Sequence, residues 1–209
     1  MNKTQLLRAF GGIHRMMEQK RDYLIELDAR NGDGDLGISM DQGFAAAEKA
    51  IADSDATDLG RLLLAASKAF NEAAPSSLGT ILSIGIMGMA KSLKGKECST
   101  LAESADAVAA GVKAICDKTG TKPGEKTVVD VLVPASEAFS RAVEAGLDRA
   151  KALQQVKQAA ETGCEATREM LPVHGRAAYY GDKLIGVTDG GAEAAKLLFA
   201  ALADAFADG

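Results

Sequence analysis

The chain contains no tryptophan, and aromatic residues make up 4% of its 209 positions. Large rings therefore contribute little to any core, and the abundant alanine and 22 glycines favour elements that approach closely over small side chains. Cysteine is scarce too. Cys98, Cys116 and Cys164 are odd in number, widely separated and never in a CxxC pair, which argues against a disulfide framework and a zinc site. No block of Lys or Arg occurs and the net charge is −5, so neither nucleic acid nor an anionic membrane is expected as a main partner. The most apolar run, Ile81 to Ala90, falls short of the ~20 residues that a membrane span needs. Met1 leads directly into an amphipathic pattern without a charged-then-apolar leader, and a cytoplasmic location is the expectation. What remains is ordinary for a globular chain: 47% hydrophobic and 25% charged residues, enough for a sizeable core in one large domain or two small ones.

One stretch departs from that average. LDARNGDGDLGISM, Leu27 to Met40, places Asp28, Asp33 and Asp35 within eight positions and interleaves them with Gly32, Gly34 and Gly37. Glycine reaches positive φ without a Cβ clash, so the segment can fold tightly and aim several carboxylates at one point. Anions so placed repel each other unless a cation sits among them, and all-oxygen ligation suits Mg2+ or Ca2+ rather than zinc. The stretch reads as a divalent-metal site on a loop. An EF-hand register starting at Asn31 fails, because its sixth and twelfth positions hold Leu36 and Gln42 where Gly and Glu are required. Mg2+ keeps few carboxylates and completes its shell with water and substrate phosphates, which suits the loop better. The plainer alternative is an Asx-turn with solvated aspartates.

Periodicity elsewhere is helical throughout. Leu6, Phe10, Ile13, Met17, Leu24 and Leu27 form one face of a first helix that delivers Asp28 to the loop. A second helix carries Phe44, Ala47 and Ile51, and a third, capped by Thr57 or Asp58, carries Leu59 to Phe70. Pro75-Ser76-Ser77 breaks the pattern before a fourth, nearly all-apolar helix from about Leu78 to Leu93, which must be buried. Ser76 and Ser77 read equally as caps or as phosphate ligands at its N-terminus. A fifth helix starts at Ser99 or Thr100 and ends near Gly120. The segment Gly120 to Thr127 only superficially resembles a P-loop, since Glu125 separates Gly124 from Lys126 and no strand precedes it. Thr127 and Asp130 have capping spacing for a sixth helix, with Pro134 positioned to kink it. Asp148 opens a seventh. Pro172 to Lys183 reads as a long loop, Gly186 to Gly191 as a turn, and an eighth helix closes the chain.

Helices of this length joined mostly by short connections favour antiparallel neighbours. Every second connection then lies at the same end. That parity gathers Asp28, Asp33, Asp35, Ser76, Ser77, Lys126, Thr127, Arg176 and Asp189 on one rim, with acids for a metal and hydroxyls, amides and cations for phosphate. His14 and His174 read as structural.

With these residues in view, the chain resembles the nucleotide-binding L subunit of dihydroxyacetone kinase, which elsewhere forms the C-terminal domain of single-chain ATP-dependent kinases. The segments LDARNGDGDLGISM, SSLGTILS, GEKTVVDVLVP and GRAAYYGDKLIGVTDGGA run in the family order across nearly the full length. The Asp-x4-Asp-x-Asp spacing is the specific part. The resemblance implies an all-α fold over residues 1–209, a single closed antiparallel eight-helix up-and-down barrel with the nucleotide site at one end. It implies two Mg2+ ions held by Asp28, Asp33 and Asp35, and ADP or ATP contacted by Leu36, Gly37, Ile38, Ser39, Ser77, Leu78, Gly120, Val128, Arg176, Asp189, Gly190 and Gly191. Arg176 is the implied catalytic residue.

The implied reaction transfers a phosphoryl group to a small keto-sugar held covalently on a separate K subunit. A phosphotransferase-system phosphocarrier is a further implied partner where bound ADP is rephosphorylated, and a homodimer is compatible with the chain. A non-catalytic ADP- or ATP-binding regulatory partner is the alternative reading. Three places depart from the family pattern, one of them Pro75-Ser76-Ser77-Leu78-Gly79 where Gly-Gly-x-Ser-Gly is usual. Leu36 stands where many relatives carry His or another polar residue, and Asp189-Gly190-Gly191 replaces an Asp-Pro-Gly turn.

Overall fold

In a computed structural model of the protein, residues 1–30 and 32–207 are described; Asn31, the first position of the EF-hand register, lies outside them. Among the described residues there are eight α-helices and no strand: α1 (Lys3–Asp28), α2 (Leu36–Ala52), α3 (Leu59–Ala73), α4 (Ser77–Ser92), α5 (Leu101–Thr119), α6 (Val129–Glu144), α7 (Arg149–Ala166) and α8 (Gly190–Ala205). Each helix packs on the next in chain order, and α8 returns to pack on α1. The ring is therefore closed, which is the all-α barrel expected.

Local chemistry sets most of the boundaries. Asn2 and Gln5 form a capping box at the start of α1, as Thr100 and Glu103 do for α5. Asp58, Ser76, Asp148 and Asp189 each accept a hydrogen bond from the third residue of the helix they open. Gly120 ends α5 in the left-handed conformation. The buried faces match the expected ones, with Leu6, Phe10, Ile13, Met17, Leu24 and Leu27 all inside. Phe44 and Phe70 meet edge-to-face at 4.9 Å between centroids, a contact that contributes about 1 kcal/mol beyond its area. The bore is filled rather than open. It retains an apolar cavity of about 190 Å³ lined by residues such as Phe10, Leu82, Ile86, Phe139 and Phe199.

The two ends of the ring are distinct. At one end the Met1 amino group donates to the Ser99 carbonyl, Lys3 to that of Ser54, and the Leu59 amide to that of Lys96. These bonds tie the start of α1 to the α2–α3 and α4–α5 connections. The opposite end carries the aspartate segment, the Pro75 turn, the 120–128 turn and the long α7–α8 connection. The parity expectation therefore holds.

Two details differ from the sequence reading. Helix α2 starts at Leu36, directly after Asp35, so Leu36 to Ser39 are its first turn and not loop. The α7–α8 connection is not irregular throughout but holds three short 3-10 turns, Thr167–Glu169, Arg176–Tyr179 and Gly181–Leu184.

Candidate functional site

The aspartate segment folds back on the end of α1. Gly34 takes a φ of 75°, which lets its amide donate to Asp28 Oδ2 at 2.8 Å, while the Gly32 amide bonds the Asp28 carbonyl at 2.6 Å. A side chain at Gly32 would collide with the Asp28 carboxylate. The result is convergence: one oxygen from each of Asp28, Asp33 and Asp35 lies within 4.8 Å of the others. Asp28 and Asp35 are half-buried and Asp33 is exposed. Desolvation first, and then repulsion from Asp33 and Asp28, pushes the Asp35 carboxyl above its ordinary range. An all-oxygen donor set under mutual repulsion fits a hard divalent cation.

Asp35 also stands at the N-cap position of α2, yet its side chain makes no capping bond. The first amides of a helix have no intrahelical partner, so those of Leu36, Gly37 and Ile38 are free to bind an anion beside the carboxylates. The other helix whose N-cap side chain makes no such bond is α6, which begins at the same rim after Val128. The remaining six are capped by Asn2, Asp58, Ser76, Thr100, Asp148 and Asp189. Ser76 Oγ accepts from the Gly79 amide at 3.0 Å, so Ser76 is the cap of α4 and its neighbour Ser77 is left exposed.

The start of α8 closes the arrangement. A Cβ on Gly190 would lie 3.0 Å from Leu36 Cδ2 and 4.0 Å from Asp28 Oδ1, and one on Gly191 would lie 3.4 Å from Val128 Cβ. Asp28, Leu36, Val128, Asp189, Gly190 and Gly191 are thus one contiguous surface. Two of the departures from the family pattern meet here: Leu36 is buried, and its side chain packs against the position where Gly190 has none. Neither glycine of the Asp189-Gly190-Gly191 turn takes a positive φ; both belong to the first turn of α8. Gly37 serves packing as well, since a Cβ there would meet the Arg21 carbonyl at 2.0 Å. Ile38 is exposed and Ser39 buried. Ser77 and Leu78 share this end through the α3–α4 turn, and Gly120 through the α5–α6 turn.

Two loops are pinned together above this surface. Lys126, buried and at a φ of 59°, donates to the Thr167 carbonyl at 2.5 Å and to that of Val187 at 2.7 Å. His174 meets Glu125 at 2.6 Å, and the Val173 amide bonds the Glu125 carbonyl. Desolvation lowers the Lys126 ammonium below its usual range, with nearby Asp189 opposing it. Asp189 is pushed up to about 6 by burial, against the Ala192 amide and the Lys126 charge. Arg176, held in this connection, reaches Asp33 Oδ2 at 2.8 Å.

Asp130 was legible only as a capping partner, through its spacing from Thr127. It is buried and accepts from the amides of both Gly124 and Thr127, so it shapes the whole turn that carries Lys126. His14 lies against Glu48 at 2.7 Å on the outer α1–α2 face, away from the rim, as a structural histidine would.

Comparison with known proteins agrees with this architecture. The family profile described as the DAK2 domain matches residues 31–204. The chain is 34% identical over 168 residues to the L-erythrulose kinase of Pectobacterium atrosepticum, covering 79% of this chain and 28% of that one. It is 28% identical over 206 residues to the PEP-dependent dihydroxyacetone kinase, ADP-binding subunit DhaL, of Escherichia coli, covering 97% of each. The chain thus spans under a third of that erythrulose kinase but nearly all of the ADP-binding subunit. Among solved structures, the dihydroxyacetone kinase from C. freundii in complex with AMP-PNP and Mg2+ superimposes with a TM-score of 0.73 at 21% identity, over 95% of this chain and 33% of that one. No described helix is long and apolar enough to cross a membrane.

Proposed function

The chain belongs to the DAK2-domain family, and on that footing we propose that it is the nucleotide- and Mg2+-binding subunit of a kinase for dihydroxyacetone or a related keto-triose or keto-tetrose. One observation carries the reading: Asp35 leaves the amides of α2 uncapped and instead joins Asp28 and Asp33, which puts an anion-binding helix start directly beside a cation-binding trio. A terminal phosphate with its metal has both signs of charge to satisfy, and this rim offers both.

Two Mg2+ ions held by Asp28, Asp33 and Asp35 would neutralise charge on the transferring phosphates, which phosphoryl transfer needs more than covalent help from the protein. The chain's own residues bind and orient. Amides of Leu36, Gly37 and Ile38 take phosphate oxygens, with Ser39 completing the same turn, while Ser77, Leu78, Gly120, Val128 and Asp189 to Gly191 flank the nucleotide. Arg176 adds positive charge as the transferring group loosens. No general base is asked of this chain, because the acceptor hydroxyl belongs to a sugar carried on a partner K subunit. Both histidines are accordingly occupied elsewhere, His14 with Glu48 and His174 with Glu125.

The deciding experiment is the nucleotide content of extensively dialysed protein, released by denaturation and separated by ion exchange. Stoichiometric ADP assigns the form in which a phosphocarrier rephosphorylates a resident nucleotide. Empty protein that binds Mg2+–ATP reversibly assigns the ATP-dependent form. Nucleotide binding without turnover, when a K subunit and keto-sugar are supplied, assigns a regulatory partner. Failure to bind any adenine nucleotide overturns the reading.

A further inference from the structure

Arg176 supplies, among the described residues, the one cationic group within 4 Å of an aspartate of the trio, through its contact with Asp33. Its guanidinium makes no other ion pair or hydrogen bond there, and it is 64% exposed. Gly175, immediately before it, has a φ of 64°, a conformation open to glycine and strained for other residues, at the base of the short turn that carries Arg176. On either side the connection is fastened, by His174 to Glu125 and by Val187 to Lys126. The side chain can therefore swing while its loop stays in place.

We propose that Arg176 is a stand-in cation, which occupies the aspartate trio until a divalent ion arrives together with phosphate. The proposal rests on the reading of the trio as the metal site and adds an order to it. A divalent ion among Asp28, Asp33 and Asp35 repels a guanidinium already seated on Asp33. Free metal must therefore displace Arg176 into water and gains less. Metal accompanied by a nucleotide offers Arg176 a phosphate in exchange, and arginine pairs as readily with phosphate as with carboxylate. Displacement then costs little. Metal and nucleotide bind with positive coupling, and the coupling is reciprocal. The site accepts the metal–nucleotide pair in preference to bare metal.

The test is Mn2+ binding followed by electron paramagnetic resonance on the wild type, Arg176→Ala and Arg176→Lys, with and without ADP. Without nucleotide, Arg176→Ala is expected to bind Mn2+ about threefold to fivefold more tightly than the wild type, the scale of an exposed ion pair. Arg176→Lys, which keeps the charge, stays near the wild type. With saturating ADP the advantage of Arg176→Ala shrinks or reverses, because the phosphate partner is lost. Equal or weaker Mn2+ binding by Arg176→Ala without nucleotide overturns the stand-in role. Absence of Mn2+ binding in all variants even with ADP overturns the metal reading itself, and this proposal with it.

Discussion

Lys126 shows how a single residue can fasten two connections of a rim together. Its backbone sits at a φ of 59°, and its buried ammonium spans from the 120–128 turn to the carbonyls of Thr167 and Val187. Replacing it with Met keeps the stem but leaves those carbonyls unsatisfied, a loss of about 1–3 kcal/mol. Hydrogen exchange should then quicken across residues 167–187 ahead of the rest of the chain; unchanged protection there would show that the clasp is idle. The paired serines separate just as cleanly. Ser76→Ala removes the α4 cap and should cost about 1 kcal/mol in a denaturant titration. Ser77→Ala should leave stability alone and weaken nucleotide binding. A reversed pattern would exchange their roles.

Asp189 gives a pH signature. Its native carboxyl is pushed up to about 6 from 3.8, so the folded chain holds that proton more tightly than the unfolded one. The stability tied to it is fully present below 3.8 and is lost as pH rises through about 6. Asn at this position can still cap α8 but cannot titrate. In the absence of nucleotide, the wild type should therefore gain stability relative to Asp189→Asn as pH falls from 7 to 4. A constant difference over that range would remove Asp189 from the linkage.

Among the elements, the α6–α7 pair depends on one missing side chain. A Cβ on Gly163 would lie 2.3 Å from the Asp130 carbonyl, the acceptor that Pro134, lacking an N–H, cannot satisfy four residues on. Gly163→Ala must push the helices apart, at a cost of about 1–3 kcal/mol by chemical denaturation, and should disturb the turn that Asp130 organises. A variant as stable as the wild type would mean that α7 yields without strain. Contacts of this kind explain what the sequence could and could not disclose about the helices. Caps such as Asp58, Thr100 and Asp148 are local signals, so those starts were legible. The start of α2 at Leu36 was not, because alternating Gly and Asp read as turn and no side-chain cap marks the boundary. The 3-10 turns between Thr167 and Leu184 were hidden for another reason: Lys126 and Glu125 fasten them from 41 and 49 residues away.

At the level of the whole molecule, antiparallel alternation alone was enough to put the aspartates, Lys126, Arg176 and Asp189 on one rim. Closure of α8 onto α1 was not written in any periodicity and came from the family resemblance. The separation of rim from core has a direct consequence. Asp33 is exposed and supports no core contact, so Asp33→Ala should leave the helical circular dichroism and melting temperature near those of the wild type. The same variant should lose measurable Mg2+–nucleotide binding by calorimetry. Retained affinity would refute the metal assignment.

Closure also leaves the ring without a natural starting point. The guanidinium groups of Arg8 and Arg149 lie over the Phe206 ring at 5.5 and 5.3 Å, so the first turns of α1 and the residue after α8 lie side by side, at the end remote from the aspartates. Joining the termini by a short Gly/Ser linker and opening the chain between Lys94 and Cys98 would yield a circular permutant. Its rim would be untouched by either cut, and it should bind nucleotide as the parent does.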